Sequence, residues 1–145
     1  MILSAAEMVR RLELDNGAEK LIIRPYNRES QQPASYDLRA ADETSLPSGA
    51  CTLLPTLEWV ELPRDLAGTL RCRSSFGRRG VLLGAGFVDP GFRGQLTLCL
   101  ANMGTESITV RKSDRVAQMI LHEVRNPGEC YNGRYQDSLG AVEAK

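Results

Sequence analysis

The feature that most limits the fold of this chain is its punctuation by Pro, Gly, Asp and Asn, which breaks almost all of it into short segments. Between the breaks lie stretches with the two-residue period of a half-buried strand. The clearest is Leu96 to Ala101, where leucines alternate with Thr97, Cys99 and Ala101. The same reading predicts strands at Leu21–Ile23, Tyr36–Arg39, Ala50–Leu54, Glu58–Leu62, Gly68–Arg73, Val81–Leu83, Ser107–Arg111 and Ala117–Val124. One helix is expected near residues 4–13, since Ser4 followed by Glu7 is a capping-box signal and Met8 and Leu12 recur at helical spacing. Many evenly spaced strands with little helix predict a mainly β fold, a distorted jelly-roll or β-barrel. The division expected is a β domain over residues 1–129 and a polar, mobile arm over 130–145.

A chain of 145 residues buries a real core without staples. Zero formal net charge gives no global basic field, so nucleic acid is not an expected partner. No apolar run is long enough to span a bilayer, and the start, with Glu7 and Arg10-Arg11, lacks a signal-peptide pattern. Cys51, Cys72, Cys99 and Cys130 form no CxxC pair, so neither a zinc cage nor a disulfide framework is expected, and a reducing cytoplasm is. His122 is the only histidine, and no nucleophile turn lies near it, which sets aside a Ser-His-Asp triad.

Two segments carry chemistry. In Gly84 to Gly94, Asp89 and Phe92 stand among glycines, which permit tight turns and close approach of a ligand to the backbone. That composition reads as a narrow hairpin slot for a flat base, with Asp89 beside it to hold or deprotonate water. Arg71 to Gly80 gathers guanidinium groups and hydroxyls at a chain reversal, a pattern suited to phosphate oxygens.

With these segments in view, the chain resembles the family that contains the trimeric dUTPases and the dCTP deaminases. Tyr36 to Ala40 resembles a motif whose aspartate, here Asp37, organises the metal and phosphate shell. Arg73-Ser74-Ser75 resembles the triphosphate turn, and Gly84 to Gly94 the pyrimidine hairpin. Asp114 to Gln118 resembles the motif whose glutamine reaches a phosphate, and the C-terminal arm stands where the family has a closing tail. Met1-Ile-Leu-Ser4, Arg78, Gly133 to Gln136 and Asp89 to Phe92 follow the deaminase wording. The short hairpin follows the dUTPases.

The resemblance implies roles. Asp89 is the catalytic group. Arg73, Ser74, Ser75, Arg78, Gln118 and Arg134 bind phosphates. The backbone of Gly84, Ala85 and Gly86 reads the base, Phe92 stacks on the sugar, and Asp37 and Tyr135 support the site. Mg²⁺ is held mainly by the substrate phosphates, and a homotrimer carries sites at its interfaces. In the deaminases the strand position ten beyond the hairpin aspartate carries a glutamate that moves protons, and here that position is Cys99. A neutral thiol is a poor general base at pH 7. On that ground the expected reaction is hydrolysis of dUTP to dUMP and diphosphate. A dCTP deaminase or bifunctional deaminase/dUTPase, and a non-catalytic nucleotide sensor, stand as alternatives.

Overall fold

The computed structural model describes residues 1–144. Lys145, the last residue of the expected arm, lies outside the described residues. One helix opens the chain: α1 spans Ala5–Glu13, and the Ser4 hydroxyl accepts the Glu7 N–H at its start. Met8 on its inner face is fully buried. Arg11 is also buried, because its guanidinium reaches Glu7 and Asp65, each at 2.8 Å.

Eleven strands follow: β1 (Ile22–Arg24), β2 (Gln31–Gln32), β3 (Ser35–Arg39), β4 (Thr44–Leu46), β5 (Cys51–Glu61), β6 (Leu66–Cys72), β7 (Val81–Gly84), β8 (Phe87–Val88), β9 (Arg93–Asn102), β10 (Ile108–Val110) and β11 (Arg115–Glu123). A single helical turn, α2 (Ser74–Gly77), lies between β6 and β7. The strands make a four-stranded sheet in the order β1-β5-β9-β7, a five-stranded sheet in the order β2-β3-β11-β6-β8, and the pair β10-β4. The result is jelly-roll-like, and its sheets do not close into a barrel. Leu54, Leu98 and Leu100 from the four-stranded sheet and Tyr36, Leu38, Met119 and Leu121 from the five-stranded one are fully buried in one core. Alternation along β9 explains its share, since every second side chain faces inward. No described helix is long and apolar enough to cross a membrane.

The structure corrects the sequence reading at two places. Pro55 was expected to separate two strands, but β5 runs through it with an irregular register between Pro55 and Trp59. Proline lacks the N–H for a regular ladder, and the buried Thr56 bridges the gap. Its hydroxyl accepts the Leu96 N–H and donates to the Glu58 carbonyl, both at 2.9 Å, while its own carbonyl accepts Gln95 Nε2. The glycine segment is also not a hairpin. β7 pairs with β9 and β8 pairs with β6, so the turn at Ala85-Gly86 carries the chain from one sheet to the other. The short β2, β4 and β8 have too few residues for a period to be read.

Candidate active site

The turn between β7 and β8 forms one wall of a cavity of about 580 Å³, within the size range of small-molecule sites. Ala85 and Gly86 both take positive φ, 59° and 107°. A side chain at Gly86 would put its Cβ 3.0 Å from the Leu70 Cβ, so the backbone passes β6 where only glycine fits. The Gly86 carbonyl accepts the Leu70 N–H at 2.6 Å, which fixes the turn.

The facing wall is β9. Gln95, Thr97 and Cys99 project from one face of that strand into the cavity, and Asp89 is the only carboxylate among the described residues that line it. Asp89 is exposed, at a turn closed by the Phe92 N–H donating to its carbonyl at 3.1 Å. Phe92 is buried, with its ring centroid 5.8 Å from that of Tyr131. Both rings border the cavity, as does Tyr135. Gly84 is not among the lining residues. A Cβ placed there would meet Cys99 Sγ at 3.6 Å, an ordinary contact, so space does not require glycine at that position.

The C-terminal segment lies along the open side of β9. Tyr131 N–H donates to the Pro90 carbonyl, Gln95 N–H to the Ser138 carbonyl, Gly140 N–H to Gln95 Oε1 and Val142 N–H to Thr97 Oγ1. Arg93 pairs with Asp137. Ser138, Val142 and Ala144 thereby complete the cavity wall. The polar side chains of β9 thus serve the arm as well as the cavity. Reasoning from sequence passed over Gln95 and Thr97, although their i, i+2, i+4 spacing with Cys99 puts all three on one strand face.

The charged residues gather elsewhere. Asp37 on β3 lies beside Gln118 on β11, which is in register with Arg71 on β6. Asp37 is 1% exposed, with Arg73 Nε at 3.0 Å and Arg115 Nη1 at 3.6 Å. Neither carboxylate oxygen accepts an aligned hydrogen bond among the described residues. Burial pushes the Asp37 carboxyl above its ordinary range, and the charges of Arg73 and Arg115 oppose that shift. Arg73 precedes α2 and is anchored by its N–H to the Val116 carbonyl at 3.0 Å and by Nη1 to the Arg115 carbonyl at 3.1 Å. Ser74, Ser75 and Arg78 are exposed around that turn, and Arg134 is exposed in the arm. Arg73, Ser74, Ser75, Arg78, Gln118 and Arg134 are all absent from the cavity lining. Within one chain the two halves of the expected site are therefore separate.

Among the described residues no three His, Cys, Asp or Glu side chains gather where a metal ion could sit. Asp37, a buried carboxylate with open hydrogen-bonding capacity, faces two guanidinium groups, a setting that repels a cation.

Comparison with known proteins bears on the reaction. A curated dCTP deaminase of Thermococcus sibiricus is 35% identical over 136 residues, 83% of this chain and 87% of its own. A protein of Halobacterium salinarum named as a dUMP-forming dCTP deaminase is 39% identical over 106 residues, 68% of this chain and 54% of its own. Among solved structures, dCTP deaminase from Agrobacterium tumefaciens superposes with a TM-score of 0.69 at 20% identity, covering 83% of this chain and 47% of that one. Native EIAV dUTPase superposes at 0.64 and 20% identity, covering 80% of this chain and 98% of that one. At that identity the structures speak to the fold alone. These relatives overturn the expectation of a dUTP diphosphatase, because at 35% and 39% identity they are named dCTP deaminases. Position 99 is one strand position among several that face the cavity, and Asp89 lines that cavity as well. The dCTP deaminase-like family model matches residues 40–124, which hold the β7–β8 turn, Asp89, β9 and the Arg73 turn; together with the relatives, this shows that the chain belongs to the dCTP deaminase-like family.

Proposed function

We propose that the chain binds dCTP, as its magnesium complex, and replaces the 4-amino group of the base with oxygen from water, giving dUTP and ammonia. The observation that carries this reading is the cavity wall, where Asp89 joins an amide, a hydroxyl and a thiol on one strand face beneath a backbone-lined turn. The base enters between Ala85-Gly86 and β9, and the rings of Phe92 and Tyr135 bound the sugar. Water oxygen bonds to C4 as Asp89 takes its proton, and N3 gains a proton in the same addition. The C4 hydroxyl then gives its remaining proton to the amino nitrogen, and the C4–N bond breaks to release ammonia and leave the C4 carbonyl. A positioned carboxylate that ferries those protons contributes roughly 10²–10⁴-fold.

The phosphates belong with Arg73, Ser74, Ser75, Arg78 and Gln118, and Arg134 adds charge from the arm. Because none of these lines the cavity of its own chain, the geometry favours a homotrimer in which one subunit's phosphate turn meets its neighbour's cavity. Asp37 holds Arg73 in place for that role. Mg²⁺ arrives on the triphosphate and neutralises part of its charge. A reducing cytoplasm suits the free thiols.

A second reading rests on Cys99. The hydrogen bond shared with Cys51, and burial after it, raise the Cys99 thiol above its ordinary range, so it is a poor acceptor of a proton from water. That favours a nucleotide sensor that binds without turnover. The test is to supply each deoxynucleoside triphosphate with Mg²⁺ and to measure ammonia, diphosphate and binding. Ammonia from dCTP, reduced roughly 10²–10⁴-fold in Asp89→Asn with binding retained, supports deamination. Diphosphate appearing with the ammonia marks a dUMP-forming reaction. Tight dCTP binding without ammonia selects the sensor, and no dCTP binding at all rejects both readings.

A further inference from the structure

Cys51 and Cys99 meet across two neighbouring antiparallel strands. The register sets Cys51 opposite Ala101 and Leu53 opposite Cys99, so the two cysteines share a face and stand diagonal to each other. Their Sγ atoms are 3.0 Å apart, and either can donate the hydrogen bond. Cys51 is exposed, while Cys99 is half-buried and lines the cavity. A disulfide holds its sulfurs at about 2.05 Å. Closing the sulfurs is therefore a movement of roughly 1 Å, and because diagonal neighbours stand about 7–8 Å apart it also draws β5 and β9 together locally.

We propose that Cys51 and Cys99 are a thiol modification site, at which a low-molecular-weight disulfide converts the pair into an internal disulfide bond. Cys51, the exposed partner, loses its proton to solvent, and its thiolate attacks one sulfur of the small disulfide. The small S–S bond breaks, and one small thiol leaves and takes up a proton. Cys99 then loses its proton, attacks the Cys51 sulfur of the mixed disulfide and expels the second small thiol. Two electrons pass from the cysteine pair to the small disulfide, which leaves as two thiols, and excess dithiol reverses the exchange. The consequence for ligand rests on the proposed dCTP reading of the cavity. The bond removes the Cys99 S–H from the cavity wall and ties β5 to β9 beside the base.

The experiment treats the folded full chain with oxidised glutathione, blocks remaining thiols by alkylation and maps the linked peptides by mass. The expected result is a Cys51–Cys99 link that dithiothreitol removes and that Cys51→Ser abolishes. Recovery of both cysteines as alkylated thiols, or links only through Cys72 or Cys130, overturns the proposal. Binding of dCTP with Mg²⁺ is measured on the same samples. Oxidation is expected to weaken it about tenfold in the natural chain, the scale of one lost pocket contact, and to leave Cys51→Ser unchanged. A link that forms without weakening dCTP binding overturns the effect on the cavity. A reduced chain that binds no dCTP removes the proposed function instead, while the mass map still decides the thiol site.

Discussion

Asp37 and Asp89 sit in segments that the sequence marks equally, but the fold treats them in opposite ways. Asp37 is 1% exposed on a central strand and faces two guanidinium groups. Asp89 is exposed at the lip of a cavity whose other polar lining groups are an amide, hydroxyls and a thiol. The charged region gains its order before any ligand arrives, because a carboxylate removed from water requires its countercharges at once. The cavity region keeps its carboxylate wet and its hydrogen-bonding groups neutral, which suits recognition of an uncharged ring. One region holds a buried carboxylate between fixed guanidinium groups, and the other leaves a single exposed acid at a cavity lip.

Breaking the charged region gives the largest expected effect on stability. Arg73→Ala leaves Asp37 buried with Arg115, at 3.6 Å, as its remaining countercharge, and the expected loss is about 3–5 kcal/mol, measured by urea denaturation. The pH dependence carries a sign. Burial holds the folded Asp37 carboxyl above its ordinary value, so its favourable contribution is complete below that ordinary value and fades as pH rises through the raised one. Without Arg73 the rise is steeper, so the gap between variant and natural chain is expected to be wider at pH 7 than at pH 4. Equal gaps at the two pH values would show that Asp37 does not depend on Arg73.

In the cavity the expected losses of stability are smaller and fall on binding. Gly86→Val places a branched side chain at φ 107° and 3.0 Å from Leu70, and about 1–3 kcal/mol of stability is expected to go. Binding of dCTP should fall with it, in titrations under conditions where the variant is folded. Normal binding would remove the turn from the base site. Smallest is Thr97→Val, which deletes the acceptor for the Val142 N–H. Global stability is expected to change by only about 0.5–1.5 kcal/mol, while amide exchange at Val142 quickens. Unchanged exchange at Val142 would mean that β9 does not hold the arm.

The alternation of Leu96 to Ala101 was legible because strand faces are set by neighbours two residues apart. The capping of α1 by Ser4 was legible for the same local reason. Pro55 misled, because the side chain that rescues the strand, Thr56, takes its partner from Leu96 on β9, 40 residues along the chain. The glycine segment was legible as a site lining but not in its topology. Nothing in Gly84 to Gly94 says that β7 and β8 enter different sheets. At position 99 the residue was read correctly and the reaction was not, since the consequence of a missing glutamate depends on what else reaches the same cavity.

The sequence by itself determined the strand-rich fold, the family motifs and the positions where glycine and aspartate meet, because each is written in adjacent residues. Only the tertiary structure decided that Cys51 touches Cys99, that Arg11 is buried against Asp65, and that the Arg73 turn stands apart from the Asp89 cavity of its own chain. Those outcomes depend on which strands pair and in what register. Register is fixed by the packing of the whole core rather than by any one segment.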